Sequence, residues 1–119
     1  MKQRLGARGE QTAADYLTHK GYTILARNYR SPAGEIDIIC CDAQYLAFVE
    51  VKTRRSVRYG MPREAVDARK QQRIIQTAQY WLMEHPTQLQ PRFDVAEVFW
   101  MPDENGAVRL LTNAFEVNG

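Results

Sequence analysis

Apolar positions along this chain repeat with two periods. Leu5, Ala13, Ala14 and Leu17 recur at helical spacing with Tyr16 beside them, which predicts a helix over residues 3–20. His19 and Lys20 suit its C-terminal dipole, and Gly21 supplies the stop. Residues 22–29, YTILARNY, are rich in strand formers, and Ser31-Pro32-Ala33-Gly34 reads as a turn. Two strand-like runs follow, GEIDII at Gly34–Ile39 and AFVEVKTR at Ala47–Arg54. A loop is expected from Arg55 to Met61, then a helix starting near Pro62 or near Asp67, with Asp67 its cap. Ile74, Ile75, Ala78, Trp81 and Leu82 form its apolar stripe, which stops before Pro86. Residues 86–91 read as a connection, Arg92–Trp100 as a strand, Pro102–Gly106 as a turn and Ala107–Thr112 as a last strand. The order is α-β-β-β-α-β-β. The strand, helix, strand passage from 47–54 to 92–100 predicts a right-handed parallel crossover, so helices should flank a mixed sheet in an α/β sandwich.

Three charges interrupt the two apolar strands: Asp37, Glu50 and Lys52. Such residues rarely enter a strand core without a reason. Alternation along a strand puts Glu50 and Lys52 on one face. If Ala43 and Gln44 are the two loop residues of a hairpin, Asp37 falls directly opposite Glu50. Two carboxylates at cross-strand range repel, and a divalent cation between them would reverse that repulsion.

Composition narrows the setting. With 119 residues, 45% of them hydrophobic and 25% charged, the chain suits one compact domain spanning 1–119. No apolar run approaches the roughly 20 residues of a membrane helix, and the N-terminal segment lacks a signal-peptide core, so a cytoplasmic protein is expected. Cys40 and Cys41 are adjacent and make neither a good disulfide nor a zinc site. Cys40 is expected to share a face with Ile36 and Ile38 as a small buried hydrophobe. The net charge of +2 decides nothing, but its distribution does. Lys52, Arg54, Arg55, Arg58, Arg63, Arg69, Lys70 and Arg73 make up half of the sixteen basic residues, against only Glu64 and Asp67 in the same stretch. A basic zone beside an acidic pair suits a polyanion such as nucleic acid. A solvated loop and helix face is the plainer account of it.

Mg²⁺ prefers oxygen ligands. Asp37 and Glu50 supply two carboxylates, and the backbone carbonyl of Val51 could supply a third oxygen. Lys52 could position the attacking water, share in its deprotonation or stabilise transition-state charge; spacing does not choose among these. Glu10 lies on the face of the first helix expected to be buried, with Gly6 and Gly9 permitting close approach. It could ligate the metal directly or through water, serve a second metal, or pair with Arg8, Arg27 or Lys52. A structural salt bridge, Glu50 with Lys52 or Asp37 with an arginine, is the competing account of the acidic pair. His19 and His85 suit helix ends, Arg92 and Asp94 share a strand face and can pair, and Trp81 and Trp100 read as core.

GEIDII, FVEVKTR, the Gly60-Met61-Pro62 loop, a helix bearing Lys70 and RFDV at Arg92–Val95 together resemble the YraN family of small bacterial proteins, from about Gly6 to Val98. The resemblance implies the restriction-endonuclease-like PD-(D/E)XK nuclease fold, with an αβββαβ core, and a similarity to archaeal Holliday-junction resolvases. Ile36 stands where the motif name has proline, a position that varies in that superfamily. By this resemblance Asp37, Glu50 and Lys52 are the motif residues, and Glu10 is the first-helix acid of resolvase-type members. The implied activity is an Mg²⁺-dependent, or Mn²⁺-dependent, endonuclease acting on branched or otherwise structured DNA. Arg54, Arg55, Arg58, Lys70 and Arg73 would contact phosphates. Symmetric cutting of two strands would call for a homodimer. Two other readings are a non-catalytic nucleic-acid-binding module on the same scaffold and a structural or partner-binding protein whose acids pair internally.

Overall fold

Asp42 sets the register of the central hairpin. Its carboxylate accepts the Gln44 and Tyr45 amides at 2.8 and 2.7 Å, while its own amide bonds the Tyr45 carbonyl at 3.0 Å. Ala43 and Gln44 are thus the two loop residues. These amides, Tyr45's first, hold the Asp42 carboxyl below the usual carboxylate range. The resulting pairs include Ile38 with Val49 and Cys41 with Leu46, which is the register expected from the sequence.

The computed structural model describes residues 5–54, 66–100 and 106–116. They form α1 (Leu5–His19), β1 (Thr23–Ser31), β2 (Gly34–Cys41), β3 (Tyr45–Arg54), α2 (Ala68–Glu84), β4 (Gln90–Trp100) and β5 (Gly106–Phe115). The five strands make one sheet in sequence order. Only β3 and β4 run parallel, as a crossover through α2 requires; the other neighbours are antiparallel. No helix among the described residues is long and apolar enough to cross a membrane. Arg55, Arg58, Arg63, the Gly60-Met61-Pro62 loop and the turn near Pro102 lie outside the described residues.

Helix ends follow local chemistry. Asp67 caps α2, its carboxylate accepting the Lys70 amide at 2.8 Å. At the other end the His85 ring stacks on Trp81 at 3.8 Å between centroids. Helix α1 closes on Gly21, whose φ of 99° admits the Tyr22 amide to the Leu17 carbonyl at 3.0 Å.

Alternation along the strands builds two cores. Leu46 and Phe48 of β3 meet Phe93 and Val95 of β4 and Ile74, Ile75, Ala78 and Trp81 of α2. Ala47 and Val49 meet Ala96 and Val98 of β4 and Ala13, Ala14 and Leu17 of α1. The molecule is therefore a mixed α/β sandwich with one helix on each face. Phe48 and Leu17 are among the largest fully buried side chains, and each contributes about 2 kcal/mol by burial.

Three local expectations change. Strand β4 begins at Gln90 and includes Pro91, tolerated at a strand start where no ladder amide is required of it. Strand β5 reaches Phe115 across a register shift opposite Asp94, whose carboxylate takes the Asn113 amide at 3.0 Å. Cys40 is buried with Ile38 against α1, but Ile36 belongs to the α2 core. Between the pairs Arg27–Ile38 and Tyr29–Ile36 both strands change face, and Asn28 there has a left-handed φ of 53°. Arg27 consequently reaches Gln11 on α1 at 2.8 Å, whereas Tyr29 meets Trp81 of α2 edge-on.

Gly9 sets the depth of α1. A Cβ there would lie 2.1 Å from the Thr53 hydroxyl oxygen of β3, with Thr53 Cβ at 3.3 Å. Alanine gains up to about 1 kcal/mol of helix propensity over glycine, but the stiff, β-branched Thr53 cannot move aside cheaply. Gly9→Ala is expected to lose a net amount of about 1–2 kcal/mol in urea unfolding. Adding Thr53→Ala should recover most of it; an unchanged midpoint for Gly9→Ala alone would refute the tight approach.

Candidate functional site

The β2–β3 ladder stops one step before Asp37 and Glu50. Beyond Ile38–Val49, the Asp37 carboxylate itself takes the Val51 amide, Oδ2 to N 2.8 Å. Val51 thus serves as a donor to Asp37 through its N–H. Glu50 shares the face of Leu46 and Phe48, is 8% exposed, and points toward α2. There Lys70, on the first turn of that helix, places Nζ 2.6 Å from Glu50 Oε1. Asp37, Glu50, Arg69, Lys70, Arg73 and Gly34 line one cleft of about 400 Å³. The two carboxylates that the register brings together therefore open on the same space.

Electrostatics separates these groups. Burial, and then the neighbouring Glu50 charge, push the Asp37 carboxyl up to about 7. Glu10 adds to the rise, while the Val51 amide and the Lys70 ammonium oppose it. Lys70 is raised above its ordinary value, chiefly by its hydrogen bond to Glu50 and against its own desolvation.

Glu10 comes from α1, on the other side of the sheet, at the depth Gly9 allows. It is half-buried and forms no ion pair among the described residues. Its expected partners are engaged elsewhere, Arg27 with Gln11 and Arg8 over the Trp100 ring at 4.6 Å. Lys52 lies one step beyond Glu50 on the same face, alongside Glu97 of β4, and is not part of the cleft lining. Arg73 lines the cleft and Arg54 reaches Glu97 at 3.7 Å. Among the described residues, no three His, Cys, Asp or Glu side chains gather closely enough to hold a metal by themselves. A cation here would have Asp37, Glu50 and backbone oxygen as its protein donors.

Sequence reasoning missed two features. Lys70 was assigned to phosphate contact, and its ion pair with Glu50 was not foreseen; only the packing of α2 on the sheet brings them together. Glu97 is a third buried acid on the same face, 2% exposed. The signal that singled out Asp37 and Glu50, a charge within an apolar strand, was present in FDVAEVFW as well. Asp94 in that run is accounted for: Arg92 grips it through Nε and Nη2 at 2.9 and 2.8 Å, and Tyr22 takes the remaining reach of that guanidinium at 2.6 Å.

The raised Asp37 carboxyl makes stability depend on pH. From about pH 4 to about pH 7 the folded protein holds a proton that the unfolded chain has released, so this group's contribution falls as pH rises through that window. Asp37→Asn keeps an acceptor for the Val51 amide and removes the buried charge. Relative to the parent protein the variant should gain about 1–3 kcal/mol between pH 4 and pH 8, a value discounted for partial solvent access. Denaturant melts across that range measure it; a constant difference between the two proteins would overturn the assignment.

Residues 9–98 match the model of the family described as "Uncharacterised protein family UPF0102". Relatives agree along nearly the whole length. The UPF0102 protein STH1475 of Symbiobacterium thermophilum is 51% identical over 116 residues, 97% of this chain and 98% of that one. The UPF0102 protein TTE1452 of Caldanaerobacter subterraneus is 47% identical over 104 residues, 87% and 85% of the two chains. A UPF0102 protein of Trichlorobacter lovleyi is 46% identical over 117 residues, 97% and 92%. The chain belongs to the UPF0102, or YraN, family.

Proposed function

We propose that this protein is a divalent-cation-dependent endonuclease of the restriction-endonuclease-like fold, hydrolysing phosphodiester bonds in DNA, with branched or otherwise structured DNA as its substrate. The observation that carries the reading is the pair of carboxylates, Asp37 and Glu50, opening on one cleft with Asp37 held at about 7 by burial and by Glu50. Perturbed acids in a cleft are characteristic of functional sites. The element order, a helix, three strands, a helix and a strand, is the order that fold requires.

The residues suit a hard cation. Asp37 and Glu50 would hold Mg²⁺ or Mn²⁺ with a backbone oxygen near Val51, and Glu10 on α1 would act on it only through water. Such a cation supplies charge stabilisation at a phosphoryl oxygen and a more acidic water. Lys70 now occupies Glu50 as a tethered monovalent cation; releasing Glu50 would turn its ammonium toward an incoming phosphate. Lys52, next on the face, would orient the attacking water or meet developing negative charge. Arg73 and Arg69 line the wall where a phosphodiester would lie; Arg54, Arg55 and Arg58 follow Lys52 in the sequence and would add further phosphate contacts.

The Glu50–Lys70 pair also favours a second reading, a DNA-binding module that keeps the scaffold and does not cleave. The two separate in one experiment. Four-way junction, flap, single-stranded and duplex DNA are incubated with the protein in Mg²⁺, in Mn²⁺ and in chelator, alongside Asp37→Asn and Lys52→Ala. The endonuclease reading expects cation-dependent cleavage that falls by about 100-fold or more in each variant. It also expects Mg²⁺ to raise Tm at pH 8 in the parent protein and not in Asp37→Asn. Salt-sensitive binding that survives Asp37→Asn, with no cleavage and no effect of Mg²⁺ on Tm, would establish the module instead.

A further inference from the structure

Glu97 sits in the middle of β4 with its carboxylate almost wholly shielded from solvent. A charge so placed is costly unless it is paired, and two arginines from the flanking strands pair with it. Arg109 of β5 lies directly opposite, donates Nε to Oε1 at 3.0 Å and brings Nη2 within 2.9 Å of the same oxygen as an ion pair. Arg54 of β3 approaches Oε2 at 3.7 Å. Lys52 is the register partner of Glu97 on β3. Arg54 and Arg109 thus hold the carboxylate from either side, with Lys52 at the same level of β3.

This group shares a face with the candidate site. Val95 and Leu111, two residues from Glu97 and Arg109, pack in the α2 core, whereas Val51, Val108 and Leu110 pack on the α1 side. Glu50, Lys52, Arg54, Glu97 and Arg109 therefore lie on one surface, running outward from the cleft across three strands. From β3 to β5 is two strand spacings, about 10 Å. The Arg109 side chain is 53% exposed, and its guanidinium lies 5.5 Å from the Phe99 ring centroid. With Nε and Nη2 directed at Glu97, its other edge has no hydrogen-bond partner among the described residues. A planar guanidinium held at one edge and open at the other suits a phosphate oxygen pair.

We infer that this surface, anchored by Glu97, docks the sugar-phosphate backbone of the DNA strand presented to the Asp37–Glu50 cleft, with Arg109 as its contact furthest from the acids. The inference rests on the nuclease reading for its partner. It adds a binding residue from the far end of the chain, outside the basic stretch that follows Lys52. Glu97 acts as a positioning residue: it fixes the angle of the guanidinium and touches no DNA itself.

Two measurements test it without relying on cleavage. Binding of duplex and junction DNA is followed by fluorescence anisotropy in chelator across a salt series for the parent protein, Arg109→Ala and Arg30→Ala, a control on the opposite edge strand. Arg109→Ala should weaken binding about three- to tenfold and lower the salt slope by about one, with Arg30→Ala unchanged. Because Arg109→Ala strips a partner from a buried acid, the parent protein is also labelled with phenylglyoxal and mapped by mass spectrometry. Arg109 should react in the free protein and be protected several-fold by DNA. Parent-like affinity and slope for folded Arg109→Ala, or protection of Arg69 and Arg73 without Arg109, would overturn the surface. Cleavage with Arg109 unprotected removes this inference and leaves the nuclease reading standing. Protection of Arg109 with no cation-dependent cleavage does the reverse.

Discussion

The Asp42 carboxylate, by accepting two amides of its own turn, fixes how β2 lies against β3, and the position of each charge on the sheet follows from that register. A slip of one residue would carry Leu46 and Phe48 from the α2 core to the α1 side and take Glu50 with them. With the register set, the apolar half of β3 is buried on both faces, and its charged half begins where the ladder with β2 ends. Asp37 completes that change by receiving the Val51 amide on its side chain in place of a backbone partner. Regular pairing and candidate chemistry thus meet at a single hydrogen bond.

The acids of the central strands differ in what balances them. Asp94 is gripped by Arg92, Glu97 by Arg109 and Arg54, and Glu50 by Lys70. Asp37 has an amide donor and no ion pair among the described residues. Paired buried charges are common structural devices, and removing either partner is costly. An acid left near neutrality beside a second acid is a different situation, since it can accept a cation with relief of repulsion instead of loss of a bond. This asymmetry distinguishes the Asp37–Glu50 cleft from the Arg92–Asp94 cluster, which is satisfied by Tyr22 and the Asn113 amide and needs nothing further.

Local signals were legible where a single residue decides the geometry. Asp67 as a cap, Gly21 as a stop, the two-residue turn and the parallel crossover all follow from short-range chemistry, and each stands in the structure. Simple alternation failed at Ile36, where β2 changes face together with the neighbouring strand, on which Asn28 takes a left-handed conformation. The end of β5 was missed for a similar reason: Asp94 supplies a side-chain acceptor that lets the strand continue past its irregularity to Phe115. In both cases the irregularity involves a partner strand, beyond the window that periodicity can see.

By itself the sequence determined the order of the elements, the hairpin register and hence the meeting of Asp37 with Glu50, since alternation and turn length act over a few residues. Tertiary structure alone decided which cations Glu50 and Glu97 received. Lys70 meets Glu50 because α2 packs across the end of β3, and Arg109 meets Glu97 because β5 closes on β4. Those contacts join residues far apart in the chain, and their partners are selected by long, flexible side chains reaching across packed elements. No local period encodes that choice; burial of the acids enforces it once the sheet and helices have come together.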